Sequence, residues 1–241
     1  MLSAEDLAQL NKLTTHNPEY ESTFSKLSPF SSSEISRASH DIKNHIACLK
    51  TSYQLINKKI PDLSSNSYWV KMGTEIDNLN TFMERTSLYR YSTRSLSVSS
   101  VNINDIIYSI PDMLDDTYDN SCSFSFNLKY DGNVNMNEEL AQILIFECTK
   151  NACEAMNNIG IITFESDYIN NSIHLRIINQ NISGITQSMN PDTLCQPFYS
   201  TKNNHIGLGL SIVHQICLTY KMQLSIIASD NETVIELIIP F

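Results

Sequence analysis

The chain has 241 residues, 41% of them hydrophobic, enough for one large or two small domains with a full core. A formal net charge of −10 argues against nucleic acid or an anionic membrane surface as the main partner. The six cysteines (Cys48, Cys122, Cys148, Cys153, Cys195 and Cys217) form no CxxC pair and mostly sit in apolar surroundings, so they read as reduced core residues, not as a disulfide frame or zinc site. Residues 1–6 carry neither a basic region nor an apolar run, and no apolar stretch approaches the roughly 20 residues that span a bilayer. The expectation is a soluble, cytoplasmic protein with no membrane span.

Residues 1–30 are polar, with a short helical candidate near Ala4–Leu13 and with Pro18 and Pro29 as punctuation. They read as an arm. Ser31-Ser-Ser-Glu34 has the form of a capping box and predicts a helix start. Beyond it Ile35, Ile42, Ile46, Leu49, Tyr53, Ile56 and Ile60 recur at bundle spacing. Lys58 and Lys59 suit the negative end of that helix, and Pro61 stops it. The spacing resumes at Trp69, Met72, Ile76, Leu79, Met83 and Thr86. Two such helices joined by a short turn predict an antiparallel hairpin over residues 31–93. A lone hairpin leaves apolar surface exposed, so pairing into a four-helix bundle, as a homodimer, is expected.

The pattern changes near residue 94. Strands are predicted over Ser95–Val101, Ser121–Leu128, Gly160–Ser166, Ser172–Asn179, Gln223–Ile227 and Thr233–Ile239. Helices are predicted over Asn104–Leu114, Asn137–Asn157 and Gly207–Tyr220, with a turn at Asp131-Gly132 and irregular chain over 180–206. This is an α+β sandwich over residues 94–241, one mixed sheet with helices on one face.

Two histidines on the first helix differ in phase. At about 100° per residue His40 lies about 160° from the seam centred on Ile42, Leu49 and Ile56, so it points to solvent. Asn44 lies one turn on, sharing its face, and Asp41 sits beside them. His45 falls about 60° from the seam centre, at the bundle edge. A spacing of five makes the two histidines a poor metal pair. A neutral imidazole is a nucleophile near pH 7, and a neighbouring carboxylate can orient it and take its proton.

Ser39-His40-Asp41-Ile42-Lys43-Asn44-His45 resembles the H box of sensor histidine kinases, in which the phospho-accepting histidine is followed by an acid, with Thr or Asn four residues on. The resemblance implies that His40 carries phosphate and that Asp41 acts as acid/base. It also implies that Asn44 positions water when such proteins act as phosphatases.

Glu147, Asn151 and Glu154 share one face of the helix predicted over 137–157, opposite Leu144, Cys148, Ala152 and Ala155. The stretch Glu147–Ala155 resembles the N box of the family's ATP-binding domain, a fold of the Bergerat or GHKL type. An amide oxygen there suits Mg²⁺, and an acid within reach suits the metal's waters or the attacking group, so Asn151 is the metal candidate and Glu147 the reactive acid. Lys150 and Glu154 join them as nucleotide-site candidates. Pro197-Phe-Tyr-Ser-Thr201-Lys202 resembles the F box, the anchor of a lid over the nucleotide. Gly207-Leu208-Gly209-Leu210 resembles the G2 box, whose glycines let backbone amides approach phosphate at a helix start.

Two positions depart from the family pattern. His205 stands where the G2 box has its first glycine. The G1 box lacks its Asp, and Asn179 is the expected adenine contact, with Gln180 as the rival register. The resemblance therefore implies ATP and Mg²⁺ as cofactors and transfer from His40 to an aspartate on a separate response-regulator receiver domain. Input would come through residues 1–30 or a partner protein. An ATP-independent phosphotransferase or phosphatase, a non-catalytic scaffold and an ATPase without histidine phosphorylation are the rival expectations.

Overall fold

The computed structural model describes residues 18–94, 96–115, 121–180, 191–202 and 205–240, and side chains only from residue 37 onward. The helical candidate at 4–13 and residues 181–184 of the G1 stretch fall outside the described residues. The chain divides into two compact units, Met1–Glu84 and Arg85–Phe241.

In the first unit, helix α1 runs Pro18–Lys59. The expected start at Ser31 is therefore corrected. Pro18 takes the first helical position, where its missing N–H is unpaired in any helix and its fixed φ suits the first turn. Ser31–Glu34 and Pro29 lie inside the helix. The end is as expected, with Lys58 and Lys59 in the last turn and Pro61 opening a 3-10 turn, Pro61–Ser65. The Asn66 side chain then accepts from the backbone N–H groups of Tyr68 and Trp69 at 3.0 and 3.2 Å, which starts helix α2, Ser67–Ser92, whose end from Arg85 onward belongs to the second unit.

The hairpin closes through one edge of the apolar stripe. Ile46, Gly73, Ile76 and Met83 are buried. Tyr53 stacks on Trp69 with ring centroids 4.7 Å apart, and Trp69 Nε1–H donates to Asn57 Oδ1 at 2.9 Å. Gly73 makes room for that ring: a Cβ would lie 2.4 Å from Tyr53 Oη, so the tyrosine would have to shift. Ile42, Leu49, Ile56, Met72 and Leu79, the other edge, stay exposed.

In the second unit the order is β1 (Ser99–Asn102), α3 (Ile103–Asp115), β2 (Ser121–Leu128), β3 (Asn133–Met136), α4 (Glu138–Ala155), β4 (Ile159–Ile169), β5 (Ser172–Gln180), α5 (Pro191–Leu194), α6 (Gly209–Thr219), β6 (Gln223–Ala228) and β7 (Glu232–Pro240). The fold is α+β, as expected, but the sheet is split. Strands β2-β4-β5-β7-β6 form one five-stranded sheet, while β1 pairs only with β3. The expected single sheet is thus corrected. The short β3, Asn-Val-Asn-Met, alternates over only four residues, and its partner is 33 residues away at the Val101–Val134 pair.

The core lies between that sheet and the helices. Helix α4 packs on α3 and α6 and lies against β4 and β5. Ile162, Phe164, Leu175, Ile177 and Leu237 meet Leu140, Leu144, Ile145 and Cys148 there, all fully buried. This fixes which side of α4 faces away from the sheet. The Asn137 side chain caps α4, accepting from Leu140 N–H at 3.1 Å.

Candidate functional site

Each unit carries one group of the expected residues. In the first, His40 and Asp41 are exposed, with side-chain accessibilities of 73% and 63%. The Asp41 Oδ1 atom lies 3.5 Å from His40 Nδ1, and Asn44 Nδ2 lies 3.3 Å from the same nitrogen. Both partners thus address one ring nitrogen. A proton on Nδ1 can be donated to Asp41, and that tautomer leaves the lone pair on Nε2. The neighbouring His45 is exposed and Ile46 is buried.

In the second unit α4 presents Glu147, Asn151 and Glu154 one turn apart. Gly209, the first residue of α6, faces the first two. A Cβ on Gly209 would sit 3.2 Å from Glu147 Oε2 and 3.3 Å from Asn151 Nδ2. Hence the N-box and G2-box stretches meet at one point, where a side chain at position 209 would be tight. Asn151 Nδ2 is buried with no hydrogen-bond partner. Leu208 is buried under the turn, and Ser211 Oγ–H donates back to its carbonyl at 2.9 Å.

Glu154 gathers two lysines and a histidine. Lys202 Nζ is 2.8 Å from its Oε2, Lys150 Nζ 3.7 Å from its Oε1, and His205 Nδ1 3.6 Å from its Oε2. The F-box lysine, the N-box lysine and the histidine replacing a glycine therefore converge on one carboxylate. The F and G2 stretches are also tied by backbone, Phe198 N–H donating to Gly207 C=O at 2.9 Å. Both residues have left-handed backbone, φ +67° and +74°.

Asn179 is buried at the end of β5, and its Nδ2 donates to the Gln180 carbonyl at 3.0 Å. Gln180 is exposed, so Asn179 is the inward side chain of the pair. Among the described residues no hydrogen bond or ion pair joins Asn179 or the exposed Thr201 to either group above.

Residues 138–240 match the family model described as the GHKL domain. The second unit carries a GHKL domain. Solved structures support the same fold for the chain as a whole. Acinetobacter baumannii histidine kinase AdeS matches with a TM-score of 0.56 and 14% identity, over 80% of this chain and 96% of that one. Histidine kinase ThkA in complex with the response regulator TrrA matches with a TM-score of 0.60 and 19% identity, over 92% of this chain and 66% of that one. ShkA in complex with AMPPNP matches with a TM-score of 0.68 and 13% identity, over 87% of this chain and 46% of that one. Among curated proteins no sequence matches this chain. The chain thus has the fold of sensor histidine kinases with a GHKL-type ATP-binding domain. No described helix is long and apolar enough to cross a membrane.

One residue of the site had no signal in the sequence. Arg85, on α2, forms a two-pronged ion pair with Glu147, Nη1 to Oε1 and Nη2 to Oε2, the second at 2.6 Å. Glu147 is only 2% exposed, where helical phase alone leaves it wet beside Asn151. The partners are 62 residues apart, and no local pattern links them.

Proposed function

We propose that this chain is a histidine protein kinase of a two-component system, using ATP to phosphorylate His40 and passing the phosphate to an aspartate on a response-regulator receiver domain. The observation that carries the reading is Gly209 lying against both Glu147 and Asn151, in a chain that also presents His40 with Asp41 and Asn44 on one exposed helical face. His40 Nε2 attacks the γ-phosphorus, the P–N bond forms as the β,γ P–O bond breaks, and ADP leaves. Asp41 holds the Nδ1 proton, which keeps the lone pair on Nε2. Asn44 Nδ2–H, 3.3 Å from the same nitrogen, can donate only to an unprotonated Nδ1, so it competes with Asp41 for that position.

The residues fit a nucleotide with a divalent cation. The orphaned Asn151 amide can present its oxygen to Mg²⁺, and Gly209 leaves room for a close approach of backbone to phosphate. When bound, Mg²⁺ neutralises charge on the transferring phosphoryl group. Lys150 and Lys202, now held by Glu154 beside His205, are the cations to which an incoming phosphate chain would turn. Gly207, Leu208 and Gly209 shape the backbone that meets it, Thr201 lies on the same F-box anchor, and Asn179 Oδ1 accepts from the adenine amine. Helices α1 and α2 pair with a second copy through the exposed Ile42, Leu49, Ile56, Met72 and Leu79.

An ATP-independent phosphotransferase is the second reading, and the burial of Glu147 under Arg85 speaks for it. Isothermal titration with a non-hydrolysable ATP analogue, with and without Mg²⁺, decides between them. The kinase reading expects Mg²⁺-dependent binding lost in Asn151→Asp. No binding by the wild-type chain would leave the phosphotransferase.

A further inference from the structure

The Arg85–Glu147 pair stands out because its carboxylate is the one assigned to the chemistry. Both Glu147 oxygens are taken by the two arms of one guanidinium, and the side chains are 17% and 2% exposed. That fork geometry is the strongest a carboxylate makes with a side chain. The position where a Gly209 side chain would start is 3.2 Å from Glu147 Oε2, so this same oxygen borders the phosphate end of the site.

The donor does not come from the nucleotide-binding stretch. Arg85 precedes the matched GHKL segment of 138–240 and sits on α2, which runs unbroken from Ser67 to Ser92 as the second helix of the hairpin. A second bond fixes the same helix end. Tyr91 Oη–H donates to Glu139 Oε2 in the first turn of α4. The end of α2 thus runs antiparallel to α4, tied at Glu147 by Arg85 and at Glu139 by Tyr91, with Leu88 between them packed against the core. The other acids on this face differ. Glu154 is held by Lys150, Lys202 and His205, all within the nucleotide site. Glu147, like Glu139, is instead held from outside it, by the end of the helix that leads to the hairpin.

We propose that Arg85 is an autoinhibitory clamp, withholding Glu147 from the phosphate site until the end of α2 moves. The inference rests on the kinase reading above, since it assigns Glu147 a part in phosphoryl transfer. It makes the last two turns of α2 the element through which hairpin movement is read, because the helix that ends the hairpin carries the clamp.

The test uses the full chain with Arg85→Lys, Arg85→Gln, Tyr91→Phe, Glu147→Gln and the double variant Arg85→Lys/Glu147→Gln. Initial rates of labelling from γ-labelled ATP are read beside Mg²⁺-dependent affinity for a non-hydrolysable analogue. The clamp predicts roughly five-fold or faster labelling in Arg85→Lys and Arg85→Gln, the low end of ordinary coupling between sites. Tyr91→Phe should move in the same direction, and Glu147→Gln should cancel the gain. If Arg85→Gln fails to fold, Arg85→Lys and Tyr91→Phe carry the test. Slower labelling in Arg85→Gln, restored by Arg85→Lys at unchanged affinity, makes Arg85 a positioning residue for Glu147 and overturns the clamp. If the analogue binds but no protein is labelled, the kinase reading fails separately. That outcome takes the clamp with it, whereas labelled protein with unchanged rates in Arg85→Lys and Tyr91→Phe overturns the clamp alone.

Discussion

Replacing Gly207 by alanine tests how the F-box and G2-box stretches are joined. Gly207 has φ +74°, and an added Cβ would lie 2.4 Å from the Tyr199 carbonyl oxygen, 2.6 Å from its carbon and 2.7 Å from the Phe198 carbonyl carbon. All three are backbone atoms, so no side chain can swing aside. The Phe198 N–H to Gly207 C=O bond, 2.9 Å, holds them in place. A left-handed alanine costs about 1–2 kcal/mol, and forcing an extra methyl into filled space costs about 1–3 kcal/mol more. Together Gly207→Ala should destabilise the second unit by about 2–5 kcal/mol. At about 2 kcal/mol per molar urea, its midpoint should fall by about 1–2.5 M. Far-UV circular dichroism is the suitable probe, because the single tryptophan, Trp69, lies in the hairpin and reports on the other unit. A dichroism midpoint within about 0.3 M of wild type would refute the reasoning.

Gly209→Ala should behave differently. Its Cβ would first meet side-chain atoms of Glu147 and Asn151, at 3.2–3.4 Å, so stability should fall by about 1 kcal/mol, the low end for added bulk in filled space, while nucleotide affinity falls roughly ten-fold; equal affinity would separate the two boxes functionally. Asn57→Ala removes the acceptor of Trp69 Nε1–H and should cost the hairpin about 1 kcal/mol, read as a lower midpoint by Trp69 fluorescence. Leu49→Glu places a charge on the exposed apolar edge and should yield monomers by light scattering, whereas an unchanged mass would exclude this edge from the dimer. Burial pushes the thiols of Cys122, Cys148 and Cys153 up, and that of Cys217 to about 12. Iodoacetamide at about pH 8.5 should therefore alkylate the exposed Cys48 and spare these four until the chain unfolds.

The parts of this fold that were legible are those with a local cause. The common face of Glu147, Asn151 and Glu154 follows from helical phase, and the stop at Lys59 follows from Pro61. Helix α4 was placed to within two residues because an Asn cap and a buried apolar face mark it. Where partners are distant, the sequence was mute. The β1–β3 ladder joins Ser99–Asn102 to Asn133–Met136, and no local pattern in either four-residue segment names its distant partner. Ser31–Glu34 had the chemistry of a helix start but lies within a helix that begins at Pro18, since a capping box stabilises a start only where the backbone actually turns. The burial of Glu147 was hidden for the same reason as the β1–β3 pairing. Its cause, Arg85, sits 62 residues away.

The central claim is that His40 takes phosphate from ATP bound to the same kind of chain. The most direct measurement is the chemical stability and position of label after incubation with γ-labelled ATP and Mg²⁺. The account predicts acid-labile, alkali-stable label on the peptide containing His40, absent from His40→Gln and from Asn151→Asp. Label that persists in His40→Gln, or nucleotide binding with no label on the wild-type chain, would contradict it.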